Sequence, residues 1–410
     1  MARPQPIIKR RAYHPRLNRV NILTHKDLPL LVLRSGIVRI LVDYRPALKE
    51  RTGVGEYVHE LVRALTGAHG PAGQDQISLF TASWRDRPAP ELGDELPAVR
   101  VVDRRLPARP LTWAWNRLGW PPVEWLAGPV DLVHAATPVA IPSRAPVVLT
   151  IHDLHFLRHP ERMSAEMRRD FPALVHAHAG RAPAIVVSSA YTAADVARTL
   201  GVPPDRIHLC PPGAPPWAGQ VRDRRRTEPA THLLFLGTLD PRKNLDVLLD
   251  AYQRLRERVA AAPPLVLAGG VPASARPLVE RSSQAGLAGH VQVTSYVDAT
   301  ERLSLLSRAW MLVLPSLDEG FGLPVLEAMA CGVPVVISSC GSLPEIAGDA
   351  AAPVDPSDVE GFTAAMTALL DREVAGAASA RGLARASAFR WDTCARLVRE
   401  AYAAAVERHG

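Results

Sequence analysis

The chain has 410 residues, 47% hydrophobic and 22% charged, with a formal net charge of +7. That length exceeds one ordinary core and points to two domains, or three, of a soluble globular protein. No stretch reaches the about 18 apolar residues of a membrane-spanning helix, and Leu28–Leu33 is too short for the apolar core of a usual signal peptide, so any membrane contact is expected to be peripheral.

The charge is unevenly placed. Residues 1–39 hold nine Lys or Arg and one Asp, a balance of +8, which leaves −1 for the remainder. The basicity belongs to an N-terminal extension, expected over 1–37 and expected to be disordered. Such a tail is either a solvated leader or a contact for an anionic membrane or nucleic acid. A nucleic-acid-binding protein rests on that tail alone and is not the expectation. Four cysteines, Cys210, Cys331, Cys340 and Cys394, lack C-x-x-C spacing and read as reduced thiols of a cytosolic protein.

Short apolar runs then alternate with helical patterns. Val38–Asp43 reads as a first strand. RTGVGEYVHEL follows it, and Tyr57, Val58, Leu61, Val62 and Leu65 mark one face of a helix. Ile77–Thr81, Asp131–His134, Val147–Ile151 and Ala184–Ser188 are further strands. Their β-branched content suits a parallel sheet covered on both faces. Between them, Arg104–Gly128 carries Trp113, Trp115, Trp120 and Trp125 among arginines. It is either a membrane-interface or sugar-stacking face, or a helical excursion packed on the first domain.

Pro211–Ala230, rich in Pro, Gly and charge, is expected to sustain neither helix nor central strand and marks the domain boundary. The alternation restarts with strands at His232–Gly237, Leu265–Gly269, Val291–Thr294, Met311–Pro315 and Pro334–Ser338, and a helix over Asn244–Val259. The fold class is therefore α/β, with two doubly wound Rossmann-like domains facing across a cleft. The expected division is 38–212, a linker at 213–230, 231–385, and a C-terminal helix over 386–410. That helix either finishes the second domain or crosses back to the first. Ligands of such sheets bind at the carboxyl ends of the strands.

DEGFGLPVLEAMACGVPVV begins at Asp318, on the loop after one of those ends. Gly320 and Gly322 allow a tight turn and close approach, and Pro324 suits the start of a helix. The amides opening at Leu323 suit a diphosphate. Glu319 before the turn and Glu327 inside the helix are acceptors able to hold two hydroxyls each, one diol on either side of the phosphates. A nucleotide sugar has that layout. Arg242 and Lys243, before another helix, are cations able to neutralise a leaving diphosphate.

The pair Glu319 and Glu327 in this setting resembles the E-x7-E signature of retaining glycosyltransferases of family four, which have the GT-B fold. FLGTLDPRKNLDVLLDAY, TIHDLHFLRHPE, SSAYTAADV and CGSLPEIAGDAA are similar to family segments in the same order. The resemblance implies an N-terminal acceptor domain and a C-terminal donor domain. It implies that Glu319 meets the donor hexose, that Glu327 holds the ribose, and that backbone near Phe321, Gly322 and Leu323 meets sugar and phosphate. Thr238 stands where many members have an arginine, and Arg242 beside Lys243 matches a branch with a PRKN loop. Gly53 and Gly55 fit the family's N-terminal glycine loop, and Tyr296 the nucleobase wall. His152 fits the residue that meets a sugar hydroxyl or the phosphate oxygen of the reacting bond, with Asp153 orienting it or reaching the donor; His134 borders the acceptor more loosely. Glu345 is expected to be structural.

The implied activity is retaining, metal-independent hexosyl transfer without a cofactor, with a nucleotide diphosphate sugar as co-substrate and a glycan or lipid-linked acceptor. GDP-mannose is the first expectation, because the PRKN and GVGEY loops are similar to mannosyltransferases of surface-polysaccharide pathways. The expected location is the cytoplasm, at the inner membrane face. A catalytically silent, sugar-binding relative is the alternative; a synthase or phosphorylase of the same fold is a further one.

Overall fold

The computed structural model describes residues 38–48, 51, 53–67, 75–162 and 165–409. The basic extension lies outside them. Strands are β1 (Val38–Asp43), β2 (Asp75–Ala82), β3 (Arg100–Arg104), β4 (Leu132–Ala135), β5 (Val147–Ile151), β6 (Ala184–Val187), β7 (Ile207–Leu209), β8 (His232–Leu236), β9 (Leu265–Ala268), β10 (Val291–Thr294), β11 (Ala309–Leu314), β12 (Val335–Ser338) and β13 (Pro353–Val354). They form two sheets, ordered β3-β2-β1-β4-β5-β6-β7 and β10-β9-β8-β11-β12-β13. Every pairing is parallel.

Each order reverses once, between β1 and β4 and between β8 and β11. Loops leave in opposite directions at such a switch point and open a crevice at the strand ends. The expected strands over β1, β2, β4 to β6 and β8 to β12 are present. The edge strands β3, β7 and β13 carry no contiguous apolar run, because an edge needs little burial: Leu209 and Val101 are exposed.

One expectation is corrected here. The linker contains a helix, Ala218–Arg225. Ala218 and Val221 turn into the second core, while Arg222 donates to the Ala330 carbonyl and Arg225 to that of Ala309, each at 2.7 Å. Charges that look solvated in the sequence are ties to the second sheet's layer. Two helices close the chain: Arg372–Ala386, and Trp391–His409, which is the expected C-terminal helix. The first packs on the helix Leu323–Ala330 of the second domain. The second crosses back and buries Cys394, Val398, Ala401, Tyr402 and Ala405 among Tyr57, Leu61, Val148 and Val186 of the first. Their spacing by three and four is the apolar stripe of one helix face.

Candidate functional site

A cavity of about 1190 Å³ lies between the carboxyl ends of the two sheets. From the first sheet it receives Gly53 and Gly55, after β1, and His152 and Asp153, after β5. From the second it receives Thr238, Arg242 and Lys243 after β8, Tyr296 after β10, and Glu319, Phe321, Gly322, Leu323 and Glu327 after β11.

His134 stands elsewhere. It is fully buried in β4, with Nδ1 at 2.7 Å from the Tyr402 hydroxyl and Nε2 at 2.7 Å from the Thr150 hydroxyl. Both nitrogens are occupied and it does not line the cavity. It seats the returning helix, and the expectation that it borders the acceptor is corrected.

The loop after β11 is pressed against the first domain. A Cβ on Gly320 would lie 1.8 Å from the His152 carbonyl oxygen, so only glycine fits. The Gly320 carbonyl accepts from Ser189 Oγ at 2.5 Å and Thr192 Oγ1 at 3.0 Å. Gly322, at φ +93°, caps the helix Leu323–Ala330. Val325 and Leu326 already donate to the Gly322 carbonyl and Pro324 has no N–H, so the helix start itself offers none of these three amides to a ligand.

The two glutamates differ in charge. Glu319 is buried; its Oε1 accepts from Lys243 Nζ and from Ser316 Oγ at 2.7 Å. Burial alone would raise its pKa, but Lys243 and Arg242 outweigh it and hold the group below its ordinary value. Glu327 is equally buried, and its Oε1 accepts from Arg302 Nη1 at 3.1 Å. Burial and the nearby Glu56 carry its pKa up to about 7 against the pull of Arg302. Glu319 is thus an ionised acceptor at neutral pH, and Glu327 stands at the edge of ionisation.

His152 is half-buried and edge-on to Tyr57, with centroids 4.9 Å apart. Burial lowers its pKa to about 4, despite Asp153 and a hydrogen bond to the Ala136 backbone, so the ring is neutral. Its Nε2 is buried with no protein partner among the described residues. Asp153 instead accepts from Arg242 Nη1 at 3.1 Å across the cleft.

Further side chains join the two domains beside the site. Asp318 accepts from His155 Nδ1 at 3.0 Å, from the Tyr191 hydroxyl at 2.9 Å, and from Arg158, all of the first domain. Burial would raise its pKa, yet these partners hold it well below the carboxylate range. Glu345 accepts from the amides of Ala190 and Tyr191 at 2.8 and 3.1 Å, capping a helix of the other domain. Adjacency to Glu319 was the one hint for Asp318; Arg302 had none.

The tryptophan segment divides. Trp113, Trp120 and Trp125 are exposed, with Leu118 beside them in sequence. Trp115 is buried, donates to the Pro121 carbonyl at 2.9 Å and carries Arg45 over its ring, so it belongs to the core and leaves the expected aromatic face. Among the described residues no helix is long and apolar enough to cross a membrane.

Two family models match in succession: "Glycosyltransferase Family 4" over residues 51–216 and "Glycosyl transferases group 1" over 221–385. The O-antigen chain mannosyltransferase B of Escherichia coli is 31% identical over 391 residues, covering 89% of this chain and 99% of that one. Among solved structures, sucrose-phosphate synthase from Thermosynechococcus elongatus superposes with a TM-score of 0.69 at 22% identity, covering 90% of this chain and 100% of that one. Anabaena Alr3699/HepE in complex with UDP and glucose gives 0.66 at 17% identity, covering 90% and 99%. Both models in order, and a relative matched along nearly its whole length, make the chain a family 4 glycosyltransferase with the GT-B fold.

Proposed function

We propose that this glycosyltransferase moves a hexose, mannose from GDP-mannose first, onto a hydroxyl of a glycan or lipid-linked acceptor in surface polysaccharide or glycoconjugate synthesis. Transfer retains the anomeric configuration and uses no resident metal or cofactor. The observation that carries the reading is the meeting of Glu319, Lys243 and Arg242 from one sheet with neutral His152 from the other. The mannosyltransferase relative and the neighbour bound to UDP and glucose support it.

In this reading donor entry exchanges partners. Lys243 leaves Glu319 for the diphosphate, Arg242 leaves Asp153 for the same group, and the freed carboxylates take hexose hydroxyls. Glu327 takes the ribose diol and Tyr296 borders the base. Gly53, Gly55, Thr238 and the Phe321–Leu323 backbone close on sugar and phosphates. The bond from the anomeric carbon to the phosphate oxygen breaks as the acceptor oxygen bonds that carbon from the same face. The acceptor proton passes to the departing phosphate oxygen, and the nucleoside diphosphate leaves. The cations and loop amides stabilise the charge growing on it, while His152 Nε2 and Asp153 orient the hexose.

We place the working enzyme at the cytoplasmic face of a membrane, touching it through Trp113, Trp120, Trp125 and the basic extension. Incubation with GDP-mannose, UDP-glucose and ADP-glucose, a mannoside acceptor, and EDTA tests the chemistry. The expected product is an α-mannoside formed equally with and without chelator. A β-linked product, or loss with EDTA, refutes retention or metal independence. Nucleotide binding without turnover on any acceptor favours the silent, sugar-binding alternative.

A further inference from the structure

Arg302 takes no part in the steps above, yet it sits on the second carboxylate of the cleft. It stands on the helix Ala299–Ser307, which Asp298 caps by accepting from the Glu301 amide. Its Nη1 donates to Glu327 Oε1 at 3.1 Å, and its Nη2 lies 3.4 Å from Glu56 Oε1. The guanidinium lies over the Trp217 ring, 5.1 Å from its centroid, and its buried Nε has no protein partner among the described residues. Glu56 opens the helix Val54–Thr66 of the first domain. One planar fork therefore joins carboxylates of both domains while resting on a tryptophan of the crossing between them.

Holding two hydroxyls requires Glu327 as an anion, since a protonated carboxyl trades an acceptor for a donor. The groups facing this pair are Glu56 on the first domain, Tyr296 beside Arg302, and Cys331 one turn beyond Glu327. Of these only Arg302 favours the anion, and it does so against burial and Glu56. We propose that Arg302 is a positioning residue for the donor, which holds Glu327 as an oriented carboxylate and ties it across the cleft to Glu56. This rests on the reading that Glu327 takes the ribose diol.

The test measures calorimetric affinities for GDP and its 2′,3′-dideoxy counterpart between pH 5.5 and 9, with UDP and ADP and their dideoxy forms in parallel. The full-length protein is expected to prefer the diol by about tenfold, the contribution of a hydrogen bond to a charged group, and to lose that preference as Glu327 takes up a proton at lower pH. Arg302→Met removes the cation, so the pH midpoint of the preference rises by about one unit or more. Arg302→Lys keeps the midpoint near that of the unchanged protein. Glu56→Gln removes a like charge and lowers it.

An unmoved midpoint in Arg302→Met overturns the inference while leaving the Glu327 reading intact. If that variant does not fold, Arg302→Lys and Glu56→Gln carry the test, and an unmoved Glu56→Gln midpoint has the same meaning. Glu327→Gln must abolish the diol preference. If it keeps that preference, the Glu327 reading itself fails, and the inference with it.

Discussion

Gly320 lies so close to His152 that a single added carbon would stand 1.8 Å from its carbonyl oxygen. The backbone of the loop after β11 and the backbone that carries the neutral histidine are thus in direct contact. Gly320→Ala must push the two domains apart or distort one of the loops. We expect a fall in kcat of about a hundredfold, the scale of a small misplacement of reacting groups. A lower melting temperature should accompany it. Steady-state kinetics with unchanged kcat would remove this contact from the account.

Lys243→Met leaves Glu319 buried with its closest cation gone. Breaking a buried pair in this way costs about 3–5 kcal/mol. The folded-state pKa of Glu319 is depressed, so its pair stabilises above the ordinary carboxylate pKa and fades as pH falls through the folded value. Without Lys243 that pKa rises and protonation relieves the variant. Urea unfolding should therefore show a smaller gap from the unchanged protein at pH 5 than at pH 7.5; an equal gap would contradict the charge assignment.

Glu327 has the opposite sign. Its folded pKa is raised to about 7, so the unfolded chain releases the proton first, and folding is penalised increasingly as pH climbs from the ordinary glutamate value towards 7. Glu327→Gln removes that penalty. Its stability relative to the unchanged protein should improve between pH 5 and 8, while diphosphate affinity falls. Thermal melts over that range check the first expectation, and calorimetry the second.

Asp318→Asn leaves Arg158 and His155 without their shared carboxylate and keeps only a neutral acceptor for Tyr191. We expect a loss of about 2–4 kcal/mol. Tyr191→Phe should lose about 1 kcal/mol, for one hydrogen bond. Because the folded pKa of Asp318 is depressed, its contribution is present at neutral pH and disappears as pH falls below the ordinary aspartate value. Denaturation curves of both variants at pH 7 and at about pH 2.5, below the ordinary aspartate value, distinguish this from a merely local packing loss.

The tryptophans should separate by experiment as they do by burial. Replacing Trp113, Trp120 and Trp125 together by alanine should leave the melting temperature nearly unchanged and reduce co-sedimentation with vesicles containing anionic lipid. Trp115→Ala should cost about 3–5 kcal/mol, as a core truncation. Undiminished vesicle binding by the triple variant would assign those rings to some other role.

The doubly wound architecture was legible because β1, β4 to β6, β8, β9, β11 and β12 are buried runs rich in Val, Ile and Leu, a pattern that a covered parallel sheet requires. The cleft loops of the second domain were legible because glycine, proline and charge follow such runs closely. What escaped was long-range pairing. His134 looks like any strand-end histidine until Tyr402, 268 positions later, proves to be its partner. Arg302 meets Glu56 across 246 positions, and no local periodicity encodes that meeting. The helix Ala218–Arg225 was hidden because its arginines find carbonyls of the second sheet's layer, a compensation invisible from composition.

The returning helix also sets an order of assembly. Residues 394–405 lie inside the first domain's core, whereas the second sheet and the helices on it are built from one continuous stretch. On a ribosome, the later half of the chain can close its core while the earlier half still lacks a wall. The first half of the protein is thus the last to be finished, and until then part of its apolar core stays uncovered. The two crossings also run side by side, with the Ala214 amide donating to the Phe389 carbonyl at 3.0 Å. A double strap of this kind resists twisting, so opening and closing of the cleft should follow a single swing about that line.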